Sequence, residues 1–363
     1  VREARPVHPA RQPAAAGEQL NAGEWFAVHA RRLPAKMSRM ASVETVRGPI
    51  ELDALGVTLM HEHVFIVNPE LLQNYGADYW DEEERVDDAI AKLRALKDAG
   101  VDTIVDPTVI GLGRYIPRLQ RVNAQVDINV IPATGLYTFE NLPHFFHYRG
   151  PDTLLGGPEP LSEMFVRDIE QGIADTGVKA AFLKCVVEEA GLTPDQIRVQ
   201  AAVAEAHVRT GVPITVHTNA AHQTGRLACE YYAKHGVDLT KVVIGHAGDS
   251  DDLDYLKWIM DQGATIGCDR FGLDMFLPTE KRVAAIVALC GQGYADRIVL
   301  SHDAACYMDF FAGEAAQAAL TQAAPNWHYL HIHHDVLPAL RQGGVTEEQI
   351  RTMLVDNPRR YFS

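Results

Sequence analysis

Val57-Thr58-Leu59-Met60-His61-Glu62-His63 is an apolar, β-branched run that ends in two histidines one residue apart. Side chains on a strand alternate faces, so an extended backbone here turns His61 and His63 the same way, where they can chelate one cation together. The arrangement recurs. Lys184 lies in Ala181-Phe182-Leu183-Lys184-Cys185, His217 in Ile214-Thr215-Val216-His217-Thr218, His246 in Val243-Ile244-Gly245-His246-Ala247, and Asp303 in Leu300-Ser301-His302-Asp303. If these runs are parallel strands of one barrel, their C-terminal ends share a rim, and ligands distant in sequence converge there. The pattern predicts a metal-dependent hydrolase.

Working outward, short β-branched runs alternate with longer amphipathic stretches at the spacing of βα units. Eight strands are predicted, over 57–63, 102–107, 129–134, 179–186, 213–217, 241–246, 264–269 and 297–303. Helical periodicity, with capping residues or helix-starting prolines, marks 81–99, 162–175, 194–210, 251–262 and 279–291. Strand then helix, eight times over, predicts a single α/β domain, a closed (β/α)8 TIM barrel over 45–363 with a binuclear metal site at its C-terminal rim. Two stretches break the pattern. Residues 136–161 carry Tyr137, Phe139, Phe145, Phe146 and Tyr148, and residues 304–326 carry Tyr307, Met308, Phe310 and Phe311. Both read as long loops that act as lids.

The bulk numbers narrow the partners. A formal charge of −15 opposes encounters with nucleic acid or an anionic membrane. No run approaches the length of a membrane span, and the first residues lack the apolar core of a secretory signal. The five cysteines contain no C-x-x-C pair and are odd in number, which suits free thiols in a reducing, cytoplasmic setting. Residues 1–44, rich in Arg, Ala and Pro near their start, are expected to be a disordered leader or sequence upstream of the native start.

A lone histidine on a strand is more often structural than a ligand, but the positions here are judged jointly. His302 is the control: beside Asp303, it should face away. Lys184 would carry a charged amine into a packed barrel, at a cost of several kcal/mol if unpaired. A buried salt bridge is one explanation. Carboxylation by carbon dioxide is the other, since it makes the amine an anionic ligand able to bridge two cations. Tyr137 can point its hydroxyl at the metals or pack in the lid, and Asp269 and Arg270 can line the pocket or pair with each other. His144, His147, His331, His333 and His334 read as loop and helix residues, and Cys306 shows no support for a nucleophilic role.

These residues and their order resemble the phosphotriesterase-like lactonases of the amidohydrolase superfamily, from about Thr45 to Ser363. The resemblance extends to Val105-Asp-Pro-Thr-Val-Ile-Gly-Leu-Gly-Arg114, Thr134-Gly-Leu-Tyr137, Ile244-Gly-His-Ala-Gly-Asp249, Asp269-Arg-Phe-Gly-Leu-Asp274 and the closing Asn357-Pro-Arg-Arg-Tyr-Phe-Ser363. It implies hydrolysis of N-acyl-homoserine lactones, which quenches quorum signals, with slower hydrolysis of organophosphate triesters. The alternative is a phosphotriesterase (aryldialkylphosphatase) as the main activity. Carried over by position, His61, His63 and Asp303 become ligands of a more buried metal, and His217 and His246 ligands of a more exposed one. Lys184 becomes the carboxylated bridge, shared with a hydroxide. Asp303, Tyr137 and Arg270 become the catalytic and substrate-positioning residues. Zinc is the first expectation for the two divalent ions, with cobalt, iron and manganese also compatible. The resemblance further implies a homodimer and a small-molecule lactone as substrate. The compact stretch 269–278 followed by a longer loop is similar to the lactonase branch. Ala304 and Ala305 depart from the bulkier residues common after this aspartate, which leaves acyl-chain preference open.

Overall fold

The computed structural model describes residues 42–76 and 79–363. Of the expected leader, residues 1–41 lie outside the described residues. Its last three belong to β1 (Ser42–Thr45), which pairs antiparallel with β2 (Gly48–Glu51) in a hairpin.

The barrel strands are β3 (Thr58–Leu59), β5 (Thr103–Asp106), β6 (Asn129–Gly135), β7 (Phe182–Val187), β8 (Ile214–Thr218), β9 (Val242–Gly245), β10 (Thr265–Cys268) and β11 (Ile298–Leu300). They pair in parallel in the order β11-β10-β9-β8-β7-β6-β5-β3. The Met60 N–H donates to Leu300 O at 3.3 Å and joins the two ends, so the sheet closes into a (β/α)8 TIM barrel. Neighbouring positions on one strand separate between two cores, as a closed sheet requires. Ile104 packs outward among the helices, whereas Val105 packs inward with Met60, Ile131, Phe182, Val243 and Val299. Tyr361 and Phe362 join that inner core.

The expected helices form over Glu82–Asp98, Pro160–Glu170, Pro194–Thr210, Leu253–Asp261 and Thr279–Gly291. Two expectations need correction. The run 57–63 is not one strand. Beyond β3 the chain bends, and His63–Ile66 forms β4, which pairs with β12 (Ala305–Met308) outside the barrel sheet. Nor is 304–326 a plain loop, because β12 and the helix Glu314–Ala323 lie within it. None of that helix's residues is buried, and its apolar stripe, Ala316, Ala319, Leu320 and Ala323, is mostly alanine and faces a cavity rather than a packed core, which makes it a weak helical signal in the sequence.

No described helix is long and apolar enough to cross a membrane. All five cysteines are free and buried.

Candidate metal centre and active site

The six expected ligands meet at the mouth of the barrel. His61, His63, Lys184, His217 and His246 are buried, while Asp303 keeps 15% of its side chain exposed. Beside Lys184, β6 and β7 approach closely. Gly135 pairs with Lys184, and a Cβ at its φ of +145° would overlap Lys184 O. His246 and Asp303 both hold left-handed backbones, φ +64° and +56°, a conformation that costs about 1 kcal/mol or more unless the surroundings fix it. They do fix it. Asp269 Oδ1 accepts from the His246 N–H at 2.8 Å, and His61 O accepts from the Asp303 N–H at 3.0 Å.

The outer partners set which nitrogen of each imidazole carries its proton. His61 Nδ1 donates to Asp269 Oδ2 at 2.9 Å, and His246 Nδ1 donates to Asp269 Oδ1 at 3.0 Å. His217 Nε2 donates to Glu188 Oε1 at 3.0 Å. His63 Nδ1 donates to Thr108 Oγ1 at 2.7 Å, whose hydroxyl donates onward to Asp106. Four unprotonated nitrogens are therefore left facing inward. His246 Nε2 and His217 Nδ1 lie 3.0 Å apart. His61 Nε2 and His63 Nε2 lie 3.3 and 3.2 Å from Asp303 Oδ1. Lone pairs aimed at one another and at a carboxylate repel, and cations placed among them turn that repulsion into ligation. Ligand atoms of His61, His63 and Asp303 lie within 4.8 Å of one another, so the donor set fits divalent metal.

Electrostatics agree with ligation. Burial, reinforced by Lys184, lowers the pKa of His61; burial also lowers that of His217 to about 4 and that of His246 well below the imidazole range. Burial works to raise Asp303, but His61, His246, His63 and Arg270 together hold it well below the carboxylate range. Lys184 Nζ lies 3.3 Å from His61 Nε2, and no carboxylate comes within ion-pair distance of it among the described residues. Burial lowers its pKa to about 8, with Asp303 and Asp269 opposing. The buried-salt-bridge explanation of Lys184 thus finds no partner.

Tyr137 places its hydroxyl 3.4 Å from His217 Nδ1. Arg270 does not pair with Asp269. Its Nε donates to Asp303 Oδ2 at 3.1 Å and another guanidinium nitrogen donates to Asp249 Oδ2 at 3.0 Å, so both faces of the fork are occupied by carboxylates. Asp249 is held in turn by the buried Arg282, which also bonds Leu273 O and Leu277 O. The loop carrying Arg270 is thereby anchored to the loop after β9. His302 faces away from the centre, as expected of it, and His144, His147, His331, His333 and His334 stand outside the ligand groups.

The sequence did not single out the outer carboxylates Asp106, Glu188 and Asp269 as supports. Asp269 matters most, since one buried carboxylate orients two of the four imidazoles. Asp269→Asn can accept only one of those two N–H groups and sets an amide N–H against the other. Its affinity for divalent metal is expected to fall about 10- to 100-fold, measured by competition with a chelator. Unchanged affinity would remove the orienting role.

A model of the phosphotriesterase family matches residues 41–362. The chain belongs to the phosphotriesterase family. A solved structure of the phosphotriesterase from Mycobacterium tuberculosis superposes with a TM-score of 0.86 at 55% identity, covering 89% of this chain and 98% of that one. An aryldialkylphosphatase of Saccharolobus solfataricus is 39% identical over 314 residues, 86% of this chain and 97% of the relative. A third relative is a solved structure from the molecular engineering of organophosphate hydrolysis activity from a weak promiscuous lactonase template. It gives a TM-score of 0.81 at 33% identity and covers 89% of this chain and 100% of that one. Membership makes this phosphotriesterase-family chain a hydrolase that depends on a binuclear metal centre, and its His/Asp groups fit that dependence.

Proposed function

We propose that this protein hydrolyses N-acyl-homoserine lactones, with secondary activity on organophosphate triesters. The observation that carries the proposal is the cavity above the ligand cluster. It has a volume of about 610 Å³, with His61, His63, Lys184, His217 and Asp303 among its lining residues and a largely apolar remainder, including Leu273, Phe276, Phe310 and Trp327. Ala316, Ala319 and Ala323 line it from the helix Glu314–Ala323, a smooth wall suited to an alkyl chain. Arg270 is engaged with two carboxylates, so the cavity offers little to an anionic substrate and favours a neutral one. The solved relative described as engineered from a weak promiscuous lactonase template supports a lactone as substrate beside an organophosphate.

Two divalent cations would sit among His61, His63, His217, His246 and Asp303, with Lys184 between them, and would supply a water-derived nucleophile at neutral pH and Lewis-acid polarisation of the carbonyl. The lowered pKa of Lys184 leaves a large share of its amine neutral near pH 8, the form that adds carbon dioxide and releases a proton to solvent, giving a carbamate whose two oxygens would serve as ligands to the cations. Asp303, the most exposed of the six, accepts the proton of the attacking water and returns it to the departing alkoxide. Arg270 holds the Asp303 carboxylate at the required angle, and Tyr137 offers its hydroxyl as a donor to the substrate.

Paired kinetics test the assignment. On metal-replete protein, kcat/KM for a long-chain acyl-homoserine lactone is expected to exceed that for a paraoxon-type triester by at least about 10-fold, a transition-state difference of about 1.4 kcal/mol. A reversed ratio would make the triesterase the main activity.

A further inference from the structure

Glu62 stands between His61 and His63 in the chain, and its side chain points away from the cavity into the packing behind its floor. It is fully buried, and no lysine or arginine lies within ion-pair distance of it among the described residues. A buried carboxylate without a cation is costly unless hydrogen bonds satisfy it. Four do. Oε1 accepts from Ser301 Oγ at 2.9 Å, from the His302 N–H at 2.9 Å and from His302 Nδ1 at 2.6 Å. Oε2 accepts from the Ala304 N–H at 3.1 Å. Every donor comes from 301–304, on both sides of Asp303.

His302 extends the contact. Its Nε2 accepts from the Ile332 N–H at 3.0 Å, which fixes the tautomer that donates through Nδ1 to Glu62. Its carbonyl accepts from Trp327 Nε1 at 2.9 Å, and Trp327 lines the substrate cavity. Asp303, in its left-handed backbone, is thus flanked by two N–H groups pinned to one carboxylate, while its own N–H is pinned to His61 O.

We infer that Glu62, acting with His302, is a positioning device for Asp303: its carboxylate templates the backbone of 301–304 and so sets where the Asp303 oxygens point. A misplacement near 1 Å at a reacting group can cost about 10²-fold in rate. Resting on the proton role proposed above for Asp303, the loss should appear in the leaving-group dependence. A p-nitrophenolate departs without a proton, whereas an alkoxide needs one.

The test compares Glu62→Gln with the parent on p-nitrophenyl esters and on alkoxide-releasing lactones of matched acyl length, with metal content measured on each sample. In Glu62→Gln the amide nitrogen meets an N–H donor instead of accepting from it. The expected result is metal content equal to the parent, KM within about threefold, kcat on lactones lower by about 10- to 100-fold, and a loss on p-nitrophenyl esters at least about threefold smaller, since they share the attack step but need no proton returned to the leaving group. Ser301→Ala removes one donor to Glu62 and also the acceptor of the His61 N–H at 2.8 Å, so, at the parent's metal content, it carries the same test at smaller amplitude if Glu62→Gln does not accumulate. Equal losses on both substrates, losses that track metal content, or no loss would each overturn the inference. Asp303→Asn serves as the control. With both compared at the parent's metal content, if it shows the leaving-group signature and Glu62→Gln does not, the positioning inference alone fails; if Asp303→Asn lacks it, the proton role fails and takes the inference with it.

Discussion

Lys184→Ala is expected to lower kcat/KM on every substrate by at least about 10³-fold, because it deletes the group that would hold two cations side by side. Two explanations of a buried lysine predict different outcomes. If Lys184 only fills core space, its truncation resembles a large-to-small change and costs about 2–5 kcal/mol of stability, leaving turnover intact below the melting transition. If it is a carboxylated bridge, the barrel persists while metal and turnover are lost together. The surroundings favour the second explanation: Nζ lies 3.3 Å from His61 Nε2, with no carboxylate in ion-pair range among the described residues. Added short carboxylic acids supply two oxygens to the vacated space and should restore part of the activity. Unchanged activity in folded Lys184→Ala would contradict the bridge.

Asp303→Asn should lower kcat by about 10²- to 10⁴-fold, the span commonly associated with losing a positioned general acid–base. The change is isosteric, and the amide carbonyl can still accept from Arg270 Nε, now at 3.1 Å from Oδ2, so the fold should survive. What disappears is the negative charge facing His61 Nε2 and His63 Nε2, together with the ability to take up a proton. Circular dichroism matching the parent alongside the kinetic loss is the expected pair of results. Near-normal turnover would remove Asp303 from the mechanism.

The barrel was legible because its strands are short apolar runs and its main helices carry buried stripes, such as Val86, Ala89, Ile90, Leu93 and Leu96 on Glu82–Asp98. The six residues of the centre were legible because each interrupts such a run with a group that packing alone does not explain. Their convergence follows from parallel strands sharing one end. The bend after Leu59 was hidden, since a run without Gly or Pro carries no mark of where pairing passes from β5 to β12. The helix Glu314–Ala323 was hidden because its apolar stripe is mostly alanine, Ala316, Ala319 and Ala323, and faces a cavity rather than a packed core.

The supporting layer was hardest to read. Asp269 sits beside Arg270 in the chain and looks like its partner, yet the two turn to different ones: Asp269 to His61 and His246, Arg270 to Asp303 and Asp249. Glu188 and Asp106 lie in strand-end segments with nothing to distinguish them from surface carboxylates. Their roles appear only when the imidazoles they orient are in place. Glu62, hidden between two conspicuous histidines, belongs to the same layer.

Metal content and turnover measured on the same sample test the central claim most directly. The expected result is two divalent ions per chain at full activity, background turnover after chelation, and recovery as ions are restored toward that stoichiometry. Full turnover by protein shown by elemental analysis to hold no metal would contradict it.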